Sequence, residues 1–170
     1  MTTARAELRR VELAGAHGGP LVASGVFQFA DAIYEVTFHN DDGLNRCLDF
    51  VLAYPEDDPA VVRLHLTPPG AKFPSCSLRF HVNVEHDVAA AVLMAADTHD
   101  DLHSWMSRGA AGRDDIVLAH DTWNPDDTRF PPDSFISIGE LRIVVSQWAF
   151  GDVLPPPAIQ WVAVPEIGWL

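Results

Sequence analysis

Residues 78–84, LRFHVNV, alternate apolar and polar side chains, and residues 88–96, VAAAVLMAA, form a continuous apolar run that begins three residues later. The alternation is typical of a strand with one face in solvent. Alanine favours a helix in the second run, but a connection of only three residues, Glu85-His86-Asp87, favours the second arm of a hairpin. We therefore predict a β-hairpin over residues 78–96.

Two amphipathic helices are predicted on either side of this hairpin. The first starts at Asn40 or Asp41, is stopped by the next proline, and has a stripe at helical spacing formed by Leu44, Cys47, Leu48, Val51 and Leu52. Cys47 is interpreted as a core residue of this stripe rather than a nucleophile. The second helix begins with the capping-box spacing of Ser137 and Glu140, and the next glycine after its apolar stripe stops it.

Short segments rich in apolar residues, some of which alternate with polar residues, predict the other strands at residues 21–29, 32–38, 62–67, 116–120 and 159–164. Together these elements indicate an α+β fold, a mostly antiparallel sheet of about five to seven strands with two main helices packed on one face. We expect a single domain over residues 1–170, in which residues 1–20 could form a loosely ordered amino-terminal extension.

Composition and charge exclude several classes of function. The 170 residues are 48% hydrophobic and carry a formal net charge of −13, with Lys72 as the single lysine. This negative field disfavours direct binding to nucleic acid and to anionic membrane surfaces. The longest apolar run, residues 88–96, is far shorter than the roughly 20 residues of a membrane span. Cys47 and Cys76 are the only cysteines, and no apolar core of a signal peptide follows the first ten residues, so we expect a reduced, cytoplasmic protein.

Acidic residues in the second half of the chain suggest a surface for a cationic partner. Pairs of aspartates are usually loop and cap residues, but those between residues 97 and 127 could also form one negative patch. Trp105 and Trp123 lie among them, and tryptophan is enriched at interface hot spots. The predicted partner-binding set is Asp97, Asp100, Asp101, Trp105, Asp114, Asp115, Trp123, Asp126 and Asp127.

Two alternatives remain open at this point. His99 and His103 have the i, i+4 spacing of a helical zinc motif, so a metal or acid–base site could be built on His99, Asp101 and His103, with His120 or Asp121 as a further group. A solvated acidic loop or short helix explains the same residues without a metal. The second alternative is a small-ligand or assembly domain, with a pocket between the sheet and the proline-rich carboxy terminus.

The last third of the chain carries a family resemblance. Phe130-Pro131-Pro132, the helix over residues 138–150, and Pro155-Pro156-Pro157-Ala158-Ile159-Gln160-Trp161 follow one another in this order. This arrangement resembles the immunity proteins of bacterial polymorphic toxin systems, in particular the family encoded beside deaminase toxins. The family's near-terminal tryptophan corresponds to Trp161. The order of strand, helix and strand over residues 34–66 is compatible with the same family.

The resemblance implies a non-catalytic protein that neutralises a toxin by occluding its active site. The implied partner is a cognate toxin domain, basic in charge, which could be a deaminase or another toxin that acts on nucleic acid. No catalytic residue, metal or cofactor is then required. The acidic surface predicted above would supply the contact with that toxin.

Overall fold

The computed structural model describes residues 8–9, 12–15, 21–28, 33–53, 61–110, 113–120 and 126–165. Its strands are β1 (Leu8–Arg9), β2 (Val22–Gln28), β3 (Ile33–Phe38), β4 (Val61–Thr67), β5 (Cys76–Asn83), β6 (Val88–Ala96), β7 (Leu102–Arg108), β8 (Val153–Leu154) and β9 (Gln160–Ala163). The helices are α1 (Asp41–Leu52), a short 3₁₀ helix (Pro132–Ser134) and α2 (Ile138–Phe150). None of the helices in these ranges is long and apolar enough to cross a bilayer.

The predicted α+β architecture is confirmed. Seven strands form one antiparallel sheet in the order β3-β2-β4-β5-β6-β7-β9, and β1 pairs with β8 in a separate two-stranded sheet. The predicted hairpin forms its centre, with Cys76 opposite Ala95 and Asn83 opposite Val88. Strand β6 lacks polar alternation because both of its faces are buried, which its small alanine side chains permit.

Both long helices begin where their predicted caps place them. The Asn40 side chain accepts a hydrogen bond from the Gly43 amide at the start of α1. Ser137 and Glu140 form the capping box of α2. The side chain of each accepts a hydrogen bond from the backbone amide of the other, which has no acceptor within the helix. The buried residues of the helices join those of the sheet in one core, in which the Trp148 indole donates a hydrogen bond to the sulfur of Cys76.

The opposite face of the sheet is covered in part by the chain between β7 and α2. Phe135, Leu118 and Phe130 pack with β6 residues in a second hydrophobic cluster. Residues 116–120, predicted as a strand, form only an isolated bridge between Ala119 and Arg129, so that prediction is wrong. The segment is held instead by the Ala119 amide, which lies 3.0 Å from Nδ1 of His81 on β5.

Strand β7 was missing from the sequence prediction. Residues 99–103 are predicted as an acidic loop or a short helix, whereas the structure has a tight turn followed by a strand from Leu102. The inward side of this strand carries His103, Trp105 and Ser107, which do not form a recognisable apolar pattern. Trp105 lies opposite Leu93 and is only 3% exposed, so its interpretation as an exposed interface anchor is wrong.

Three surfaces of the sheet lie outside the main core. The loop end of the sheet consists of residues 68–75, which join β4 to β5, and residues 97–101, which join β6 to β7. The far end consists of residues 84–87, which join β5 to β6. The polar face is the side of β2, β3, β4 and β5 away from the helices; it includes Arg63, His65 and Arg79.

Candidate functional site

Asp97 organises the turn between β6 and β7. Its Oδ1 atom accepts hydrogen bonds from the amides of His99 at 2.8 Å and Asp101 at 3.1 Å. Its Oδ2 atom lies 3.1 Å from Nε2 of His103, which donates to it. These donors stabilise the charged carboxylate, so the pKa of Asp97 is lowered, first by His103 and then by the amide of His99.

The turn presents its other acidic side chains to solvent. Backbone hydrogen bonds join Asp97 to Asp100 and Asp101, and Asp100 has a positive φ of 61°. Such a backbone conformation is uncommon for a residue other than glycine, and here the surrounding hydrogen bonds hold it. Asp100, Asp101 and the following Leu102 are exposed. The turn is therefore a rigid support for two outward carboxylates beside an apolar side chain.

The second loop of the loop end presents an aromatic side chain. Phe73 is 71% exposed, and the ammonium group of Lys72 lies 5.3 Å from the centre of its ring. Pro68, Pro69 and Pro74 restrict the backbone of this loop, and Gly70 supplies a positive φ of 76° at its tip. Phe73 was not among the predicted site residues. The sequence feature that could have identified it is an aromatic residue next to the single lysine in a loop rich in proline.

The two loops are joined directly. The Ser75 carbonyl accepts a hydrogen bond of 2.9 Å from the amide of Ala96, immediately before the acidic turn. Ser75 is itself anchored through its amide to the carbonyl of Leu66. Since β5 and β6 are neighbouring antiparallel strands, the loop before β5 and the loop after β6 lie at the same end of the sheet. Phe73 and the carboxylates of Asp100 and Asp101 thus belong to one surface, the loop end.

Asp114 and Asp115 lie elsewhere. Asp115 binds Arg113 in a two-pronged ion pair with distances of 3.1 and 2.9 Å. The pKa of Arg113 is raised, first by this hydrogen-bonded pair and also by the charge of Glu85, which places both residues near the far end. Strand β6 separates the two ends by eight residue steps, or about 26 Å. The predicted single patch is therefore divided, and the correction follows from the length of β6.

The remaining predicted contact residues form no part of the loop end. Asp126 pairs with Arg129, in the segment held over the polar face by Ala119 and His81, and Asp127 follows it in the same turn. Trp105 belongs to the core, as described above. Trp123 lies outside the described residues, as does Asp121 of the alternative metal set.

The geometry of the histidine motif differs from the one that the metal alternative requires. His99 and His103 do not share a helical face, because a hairpin turn separates them. His103 is engaged with Asp97 and stacks on Trp105 at a ring separation of 5.7 Å. Within the described ranges, no group of three or more His, Cys, Asp or Glu side chains is arranged to hold a metal ion.

The predicted carboxy-terminal pocket involves the proline-rich segment, which does not line the cavity found beside β9. A cavity of about 130 Å³ lies between β7, β9 and residues 131–134, with Met106, Arg108 and Val162 in its lining. Small-molecule sites usually enclose about 300–1,000 Å³. This cavity is too small for such a ligand.

Comparisons with protein-family models, curated proteins and solved structures find no match for this chain. The assignment of the candidate site therefore rests on the structure alone. The site consists of two connected loops, one with an exposed phenylalanine and the other with two exposed carboxylates.

Proposed function

We propose that this chain is a non-catalytic binding protein that neutralises a cognate bacterial toxin, and that it contacts the toxin through the loop end. The observation that carries the proposal is the joined pair of loops, which presents Phe73 at 71% exposure at the same end of the sheet as the exposed Asp100 and Asp101. Aromatic residues are enriched at protein interfaces, and carboxylates around them select a cationic partner.

Rigidity of the two loops supports this function. A loop that already has its bound conformation loses less conformational entropy on association, and more of the contact energy then appears as affinity. Asp97 fixes one loop through three hydrogen bonds, and prolines with the Ser75 contacts fix the other. The net charge of −13 supports rapid encounter with a basic toxin domain.

Growth protection tests the proposal. Candidate toxin domains encoded beside this chain's gene are expressed in bacteria, with and without the chain, and survival is counted. We expect the chain to restore growth, and Phe73→Ala to reduce that protection because the exposed ring is lost from the interface. Val117→Ala, which truncates an exposed apolar residue outside the loop end, is the matched control. Failure of the unaltered, folded chain to protect would contradict the proposal.

A further inference from the structure

A groove of about 700 Å³ opens on the polar face, beside the loop end. Its floor is formed by β2, β3 and β4, and its wall by residues 67–74 of the β4–β5 connection. This volume lies within the range of small-molecule sites. Several hydrogen-bonding side chains line it: Ser24, Thr37, His65, Thr67 and Lys72, with Glu35 on the edge strand.

Basic residues lie next to this groove in a chain that is otherwise strongly acidic. Arg63 and Arg79 are directly opposite each other on β4 and β5, two residues along from the pair formed by His65 and Ser77 and on the same face of the sheet. The positive charges of Arg63 and Arg79 act on His65, which lines the groove. The pKa of His65 is lowered first by burial and then by the charges of Arg79 and Arg63.

Two polar atoms at this point make no hydrogen bond within the part of the chain that the structure describes. They are Nδ1 of His65 and Oγ of Ser77, and the two residues are cross-strand partners. Ser77 is only 1% exposed. Buried polar groups are nearly always satisfied by protein, water or a bound group. His65 lines the groove and Ser77 lies beneath it, so the His65 ring is the group of this pair that a ligand in the groove would meet.

We propose that this groove binds a small oxyanion, a molecule that carries a phosphate or carboxylate group, through Lys72 and His65 together with the neighbouring hydroxyl groups. Lys72 supplies a charged donor at the wall, and Ser24, Thr37 and Thr67 supply neutral donors on the floor. Arg63 and Arg79 contribute a positive field from the adjacent strand positions. This inference does not depend on the toxin-binding proposal, because it concerns a different class of partner, although the groove shares residues 68–72 and 74 with the loop end.

Titrations of the purified chain with pyrophosphate and with citrate test the inference and separate its two sources of oxyanion. The amide resonances of β2, β3 and β4 are followed by NMR at constant ionic strength, so that general salt effects are matched. We expect saturable shifts around Ser24, Thr37 and His65 with at least one of the two probes. A response to pyrophosphate alone indicates a phosphate ligand, and a response to citrate alone indicates a carboxylate ligand.

Substitutions then assign the binding to the groove. Loss of a charged hydrogen bond in Lys72→Gln is expected to weaken binding roughly tenfold. The matched control is Arg46→Gln, which removes one positive charge from the exposed side of α1 and is expected to change affinity less than about twofold. Absence of saturable shifts with both probes, or equal weakening by the two substitutions, would overturn the proposal.

Discussion

The Nε2 atom of His103 lies 3.1 Å from Oδ2 of Asp97, and this contact closes the base of the turn that joins β6 and β7. The other oxygen of the same carboxylate binds the amides of His99 and Asp101. A sequence that resembles half of a zinc motif therefore forms a hydrogen-bonded hairpin turn. Its two remaining aspartates, Asp100 and Asp101, point outward as a consequence.

Removal of the Asp97 carboxylate is expected to loosen this turn. In Asp97→Ala, the amides of His99 and Asp101 lose their acceptor, so their hydrogen exchange should become faster while that of β6 core amides stays slow. Exchange measured by NMR checks this. Asp114→Ala, which removes an exposed carboxylate near the far end, should leave both amides unchanged. Equal exchange in Asp97→Ala and the unaltered chain would contradict the account of the turn.

Trp105 is expected to act as a core residue. Its replacement by alanine removes a side chain that is 3% exposed and packs in the main core, so the free energy of unfolding should fall by about 3–5 kcal/mol. Urea denaturation measures this loss. Val162→Ala, on the neighbouring strand but 39% exposed, should cost less than about 1 kcal/mol. A small effect of Trp105→Ala would restore the interpretation of this residue as a surface anchor.

Local signals were sufficient for most elements of the fold. The Ser137 and Glu140 pair marked the start of α2, and the three-residue connection after β5 identified β6 as a strand despite its alanines. Strand β7 was not predictable in this way. Its inward positions include the polar residues His103, which binds the nearby Asp97, and Ser107, which binds Ala91 and Ser134. The strand therefore shows no alternation of apolar residues from which its burial could be predicted.

The candidate site was predicted only in part, because it depends on strand order. Asp97, Asp100 and Asp101 are close in sequence and remain together, whereas Asp114 is near them in sequence and lies toward the other end of β6. The loop that carries Phe73 meets the acidic turn only because β5 pairs with β6. Such a meeting cannot be inferred from residues 68–75 by themselves.

Ser107 is expected to stabilise the fold through its hydroxyl group. This Oγ atom accepts a hydrogen bond from the Ala91 amide at 2.9 Å and donates one to the Ser134 carbonyl at 2.7 Å, at a site that is 2% exposed. Ser107→Ala leaves both groups buried without a partner, so unfolding should become easier by about 2 kcal/mol or more. Ser146→Ala, whose hydroxyl group binds the exposed Asp41, should change stability by at most about 0.5 kcal/mol in the same denaturation experiment.

Protonation of His81 is expected to weaken the fold in mild acid. Burial lowers the pKa of this residue below its usual value of 6.5, although the Ala119 backbone partly opposes the shift. The unfolded chain therefore takes up a proton first, so the contribution of His81 to stability is complete above pH 6.5 and is lost as the pH falls from there through the folded-state pKa.

Denaturation at a series of pH values between 7 and 5 measures this dependence. His81→Gln should reduce the slope of stability against pH, while His39→Gln, at an exposed position, should not. Some slope should remain in His81→Gln, because the pKa of His65 is lowered in the same direction. An unchanged slope would show that the neutral form of His81 is not required for its contact with Ala119.

Association kinetics with the cognate toxin domain test the central claim most directly. The rate is measured at several salt concentrations for the unaltered chain, Asp100→Lys/Asp101→Lys and Asp114→Lys/Asp115→Lys, two variants with the same change in net charge. We predict that the first double substitution slows association about tenfold or more and weakens its salt dependence, while the second has a much smaller effect. Equal slowing by both variants, or by neither, would contradict binding through the loop end.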